Sequence, residues 1–222
     1  MFLRFAIFIL ACWACGPALA GPWLRDRGDG FSAYTFASNA NYDTATQTYL
    51  EFGLTDTTTI GADIGFVRPR YGFQGGYATL FMRRALSKPD AVSKWAYEIG
   101  VGANWAADLV LPHFKTTLTW GRGLSFADKT GWTTVDAAVI WDPVYALHVA
   151  KLDGTLGINF SDKVAGMMQV YMVHANGASA ATLAPSIIFS PADSKFRFQI
   201  GTETAVGNVR GTVLKLGLWH NF

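Results

Sequence analysis

Cysteine is almost absent from this chain, and its placement matters more than its number. Both cysteines, Cys12 and Cys15, fall within the first twenty residues. That stretch reads as a secretory signal peptide: Arg4 gives a positive start, Phe5 to Trp13 an apolar run, and Ala18-Leu19-Ala20 a small-x-small cleavage site before Gly21. A lipobox-like Ile9-Leu10-Ala11-Cys12 is the rival reading, but an anchor at Cys12 leaves only a very short apolar segment. Removing 1–20 leaves 21–222 without a disulfide, a thiol nucleophile or a thiolate metal ligand.

Charge is scarce too. Charged residues make up 15% of the chain, against roughly 25% in a soluble domain, while 50% are apolar and 14% aromatic. Setting Arg4 aside leaves 17 basic against 16 acidic residues, so no concentrated basic face offers itself to nucleic acid. After the signal no window holds 18 consecutive apolar residues, which excludes a membrane-spanning helix. No helical periodicity stands out, and no Gly-x-Gly-x-x-Gly or P-loop pattern opens a helix. There is no low-complexity stretch or linker, so 21–222 is taken as one domain.

What is present is an alternation of period two. In 150–160, Ala150, Leu152, Leu156, Ile158 and Phe160 alternate with Lys151, Asp153, Thr155, Gly157 and Asn159. The same pattern runs through 58–67, 94–105, 195–205 and the closing segment 213–222. Turn signals separate the runs at Thr55-Asp56-Thr57, Lys88-Pro89-Asp90, Ser161-Asp162-Lys163 and Pro191-Ala192-Asp193-Ser194. The spacing predicts about twelve strands, at 31–38, 45–54, 58–67, 75–84, 94–105, 113–121, 131–141, 147–160, 164–174, 180–190, 195–205 and 211–222. An even count puts both chain ends on one side, and 21–30 reads as a lead-in to the first strand.

The apolar faces of such strands can point into a core, as in a soluble sandwich, or outward into lipid. The polar faces carry Glu51, Asp63, Glu98, Lys115, Asp136, Lys151, Asp153, Arg197, Glu203 and Lys215 among many Gly and Thr, too sparse a charge for a water-facing exterior. Inside a barrel those charges can pair, and glycines let strands curve. Trp95, Trp105, Trp120 and Trp141 near strand ends fit interfacial girdles. The expected fold is therefore all-β, a closed antiparallel transmembrane β-barrel of about 12 strands.

The final segment Lys215-Leu216-Gly217-Leu218-Trp219-His220-Asn221-Phe222 resembles the C-terminal signal of bacterial outer-membrane barrels: a polar residue, a glycine two on, hydrophobic positions, and a terminal Phe. His220 departs from it, since an apolar or aromatic residue is usual there. Gly30-Phe31-Ser32, Tyr49 to Thr55 and Thr59 to Asp63 also resemble small proteobacterial outer-membrane barrels. The resemblance implies Sec-dependent export to the outer membrane. It further implies surroundings of lipid and lipopolysaccharide, and barrel-assembly machinery acting on the last strand.

For chemistry the sequence offers little. His174-Ala175-Asn176-Gly177-Ala178-Ser179 is similar to the His-x-Ser-Asn element of outer-membrane phospholipases and lipid A deacylases, but Asn176 stands where the nucleophile belongs. A lipid hydrolase would need Ser179 within hydrogen-bonding reach of His174. His113 reads as a rim residue, His148 as a strand-end residue, and His220 as part of the terminal signal; none has metal-ligand spacing. Arg68-Pro69-Arg70-Tyr71 and Arg83-Arg84 read as rim charge at headgroup level. No catalytic, cofactor or metal site is expected. The six acidic and four basic inner residues named above give no single-sign ring. With connections of about 5–10 residues there is no plug loop. These features predict a small, weakly selective porin, with a structural or surface-interaction barrel as the alternative and a degenerate outer-membrane lipid hydrolase after it.

Overall fold

The computed structural model describes residues 21–126 and 128–222. The signal assigned to 1–20, with Cys12 and Cys15, lies outside the described residues. The described chain forms β1 Gly30–Asn39, β2 Thr44–Thr55, β3 Thr58–Arg68, β4 Gly75–Ala85, β5 Ser93–Ala106 and β6 Leu109–Phe126. It continues with β7 Lys129–Asp142, β8 Leu147–Asn159, β9 Val164–Ala175, β10 Ala178–Phe189, β11 Phe196–Ala205 and β12 Asn208–Asn221. Each strand pairs antiparallel with its sequence neighbours, and β1 pairs with β12 from Phe31↔Asn221 to Asn39↔Val213. The sheet is a closed barrel, so no open ladder faces an environment that cannot hydrogen-bond it.

The seam closes at its lower end through two backbone hydrogen bonds: Gly30 N donates to the Phe222 carbonyl at 2.8 Å, and Phe222 N to the Gly30 carbonyl at 3.0 Å. Both ends of the barrel sheet lie on one rim, here the terminus rim, with the turns after β2, β4, β6, β8 and β10. The distal rim carries the remaining connections. All connections span 2 to 7 residues, shorter than the sequence suggested.

The outward faces are apolar. Leu80 is 65% exposed, Ile200 55% and Ile187 54%, values that only a hydrocarbon surrounding makes favourable for side chains of this kind. Trp95 and Trp105 stand ten positions apart on β5. At about 3.3 Å per residue and a tilt of about 40° they bracket a band about 25 Å tall, the apolar height of an outer-membrane barrel. Around them lie the girdles: Trp95 beside Trp120 (6.5 Å between centroids) near the terminus rim, and Trp105 edge-on to Phe66 (5.5 Å) near the distal rim.

The largest boundary difference is β6, which runs from 109 to 126 instead of 113 to 121. Pro112 argues against a strand there because it cannot donate to a ladder. The registers explain its tolerance: β6 pairs with β5 up to Leu109, but its pairing with β7 begins only at Phe114↔Trp141. Pro112 thus sits where β6 extends past β7 and has an edge on that side.

Candidate functional site in the barrel lumen

The period-two pattern that turns Leu and Ile outward turns every second residue inward. All ten predicted inner charges lie on the inner face; Arg197, opposite the buried Trp219, is exposed at the terminus rim. Arg83 is not a headgroup anchor: it is 3% exposed inside the barrel, while its neighbour Arg84 faces out, as alternation on β4 requires. Its Nη1 donates to Glu51 Oε1 at 2.5 Å and its Nη2 to Glu98 Oε2 at 2.7 Å. Lys115 Nζ meets Glu98 Oε1 at 3.0 Å, and Tyr49 OH donates to Glu51 Oε1 at 2.7 Å. A buried cation held by two carboxylates keeps each of those charges compensated. The signal that could have placed Arg83 is parity with Tyr77, Thr79 and Phe81, which share its face.

Three further groups line the wall. Gln47 Nε2 and Tyr77 OH donate to Asp63 Oδ1 at 2.8 and 3.0 Å. Lys215 Nζ donates to Glu203 Oε1 at 2.9 Å and to Tyr171 OH at 3.3 Å. Lys151 lies 3.5 Å from Asp153, which faces Asp136 directly across β7 and β8. His113 is no rim residue either: it points inward, 3% exposed, with Nε2 2.8 Å from Thr79 Oγ1. With Arg83 and Arg25 added, the six predicted acids face six basic side chains, so the lumen is close to charge balance.

The lumen is not polar along its whole length. Near the terminus rim Phe31, Ala33, Tyr49, Phe81, Met167, Ile188 and Trp219 form a buried apolar cluster against which Trp132 packs. Below it, the lead-in 21–29 does not trail outside the barrel as a plain leader. Gly21 and Pro22 are buried, and the Gly21 carbonyl accepts from Arg83 Nη1 at 3.3 Å. Arg25 Nε donates to Glu51 Oε2 at 2.7 Å, and Arg25 N to Thr59 Oγ1 at 3.0 Å. The lead-in to β1 therefore turns into the lumen, a placement that its reading as a plain leader did not include. Its Pro, Gly and Asp residues show no alternation, and only the closed wall brings its partners within reach. Toward the distal rim a cavity of about 140 Å³ remains, lined by Thr35, Asn39, Gln47, Tyr77, Thr182 and Glu203.

The histidine pair lies elsewhere. His174 and Ser179 are directly opposite on β9 and β10, both facing outward near the distal rim, with Nδ1 and Oγ 2.8 Å apart. The contact follows from hairpin register: Asn176 (φ 51°) and Gly177 (φ 75°) form the two-residue turn, so the position of the missing nucleophile is a turn residue. His148 packs edge-on against Trp141 at 4.9 Å, and His220 stacks between Phe196 (4.3 Å) and Phe222 (5.5 Å). Among the described residues no group of three or more His, Cys, Asp or Glu could hold a metal ion.

No protein-family model matches the chain, and no curated protein matches its sequence. Solved structures do share its fold. It superposes on the KdgM porin with a TM-score of 0.63 at 8% identity, covering 86% of this chain and 99% of that one. LpxR from Salmonella typhimurium gives 0.59 at 5% identity, covering 86% and 99%. An outer membrane channel from Pseudomonas putida F1 gives 0.53 at 11% identity, covering 94% and 100%. At such identities the likeness is one of fold.

Proposed function

We propose that this chain is an outer-membrane channel that passes small solutes with weak selectivity, and not an enzyme. The observation that carries the reading is the two-sided wall: an apolar band outside and a hydrogen-bonded, charge-balanced lining inside a closed twelve-stranded barrel. A lumen built only for stability has no need of a paired charge network of this extent, since burying ions costs desolvation that apolar packing avoids. The shared fold with a porin and an outer membrane channel supports the same reading. The terminus rim then faces the periplasm and the short distal turns face outward. Lipid and lipopolysaccharide are its surroundings, and the barrel-assembly machinery engages β12 during closure.

Single-channel recording of the refolded protein in planar bilayers tests this. Discrete conductance steps, and swelling of proteoliposomes in small sugars that fades as sugar size rises, are the expected results. A barrel that never conducts is instead the structural kind, a reading that the apolar cluster near the terminus rim favours.

A further inference from the structure

The segment 21–29 is held in the lumen by more than proximity, and the wall is shaped to receive it. From the strand start at Gly30 the chain turns at Gly28, whose φ of +90° suits glycine, and is pinned by Gly28 N to the Gly53 carbonyl and Gly53 N to the Asp29 carbonyl, each 2.9 Å. It then crosses the lumen. Arg25 bonds Glu51 and Thr59 on the β2–β3 side, while Pro22 and Gly21 reach Gly121 and Thr134 on the β6–β7 side.

Two wall glycines mark the seat. A Cβ at Gly53 would run into the Asp26 carbonyl, and one at Gly121 would lie 2.8 Å from the Pro22 ring carbons. The segment therefore lies across the terminus-side part of the lumen, between the β2–β3 and β6–β7 walls and beneath the distal cavity. Yet it belongs to no strand ladder, and beyond its hinge the contacts that hold it include the Arg25 ion pair, the Arg25 guanidinium over the Phe31 ring at 4.4 Å, the Arg25 N–Thr59 bond and the Arg83 bond to Gly21. Such a segment can leave without opening the barrel.

We infer that residues 21–29 form a built-in gate, seated in the lumen by the Arg25–Glu51 pair and released as a unit about the Gly28 hinge to open the pathway. The inference rests on the channel reading above. Arg25 is the latch: its side chain is 20% exposed and that of Glu51 is fully buried. Glu51 keeps Arg83 as a partner when Arg25 withdraws, so opening leaves no lone buried charge.

The test uses the full chain, exported and processed, in planar bilayers. The double substitution Pro22→Cys and Gly121→Cys places two thiols within disulfide reach in a mature chain without other cysteines. The oxidised double variant is expected to be silent, and dithiothreitol to restore the wild-type conductance steps. Arg25→Gln is expected to raise the ratio of open to closed time about tenfold, the equivalent of about 1.4 kcal/mol. Equal conductance of the oxidised and reduced double variant, with Arg25→Gln unchanged, would overturn the gate while leaving the channel standing. Silence in every form, the reduced double variant and Arg25→Gln included, would overturn both, because releasing the segment would then open nothing.

Discussion

One side chain decides how the inner wall is neutralised. Arg83 bridges Glu51 and Glu98 at 2.5 and 2.7 Å, and removing it leaves each buried carboxylate with one cation, Arg25 for Glu51 and Lys115 for Glu98. Arg83→Met is expected to cost about 1.5–3 kcal/mol, the loss of charge-assisted hydrogen bonds to carboxylates that each keep one other cation, whereas the adjacent Arg84→Gln should stay within about 0.5 kcal/mol because Arg84 faces outward. Urea unfolding in detergent micelles, followed by tryptophan fluorescence, reads both. Similar losses for the two variants would place Arg83 outside the lumen. The dipeptide was legible only as two basic residues; which of them points inward is a matter of strand parity, and a one-residue slip exchanges them. His220 shows the reverse case. As a letter it departs from the expected terminal pattern, and only the structure shows its ring stacked between Phe196 and Phe222.

At the scale of the strand, alternation was enough. All twelve predicted segments are strands, because period two in a chain poor in charge and without helical periodicity has no other regular outlet. What alternation cannot read is length beyond the alternating part, as in β6, where Pro112 is acceptable only because β7 stops short. The outward faces carry a depth-dependent prediction. Leu80→Arg, mid-strand on β4, is expected to destabilise the barrel by about 2–4 kcal/mol, and Leu54→Arg, beside the turn at 56–57, by only about 0–1 kcal/mol. Refolding titrations into lipid vesicles measure the difference. Equal costs at the two depths would mean that the apolar face does not meet a bilayer.

For the molecule as a whole, the balance of charge across the lumen sets selectivity. Six predicted acids against six basic side chains leave no dominant sign. The reversal potential under a potassium chloride gradient is therefore expected near zero, with a potassium to chloride permeability ratio near unity. A strong preference for either ion would show that some of these pairs are broken in the open pathway. The sequence by itself determined the barrel, its strand count, the direction of its apolar faces and ten of its inner charges, since all of these follow from local periodicity and composition, but not Arg83 or Arg25. Only the tertiary structure decided which of those charges pair, that an apolar cluster lies on the inner wall near the terminus rim, and that residues 21–29 turn inward. Those outcomes depend on side chains from strands far apart in the chain meeting across a closed cylinder, and no local pattern encodes that meeting.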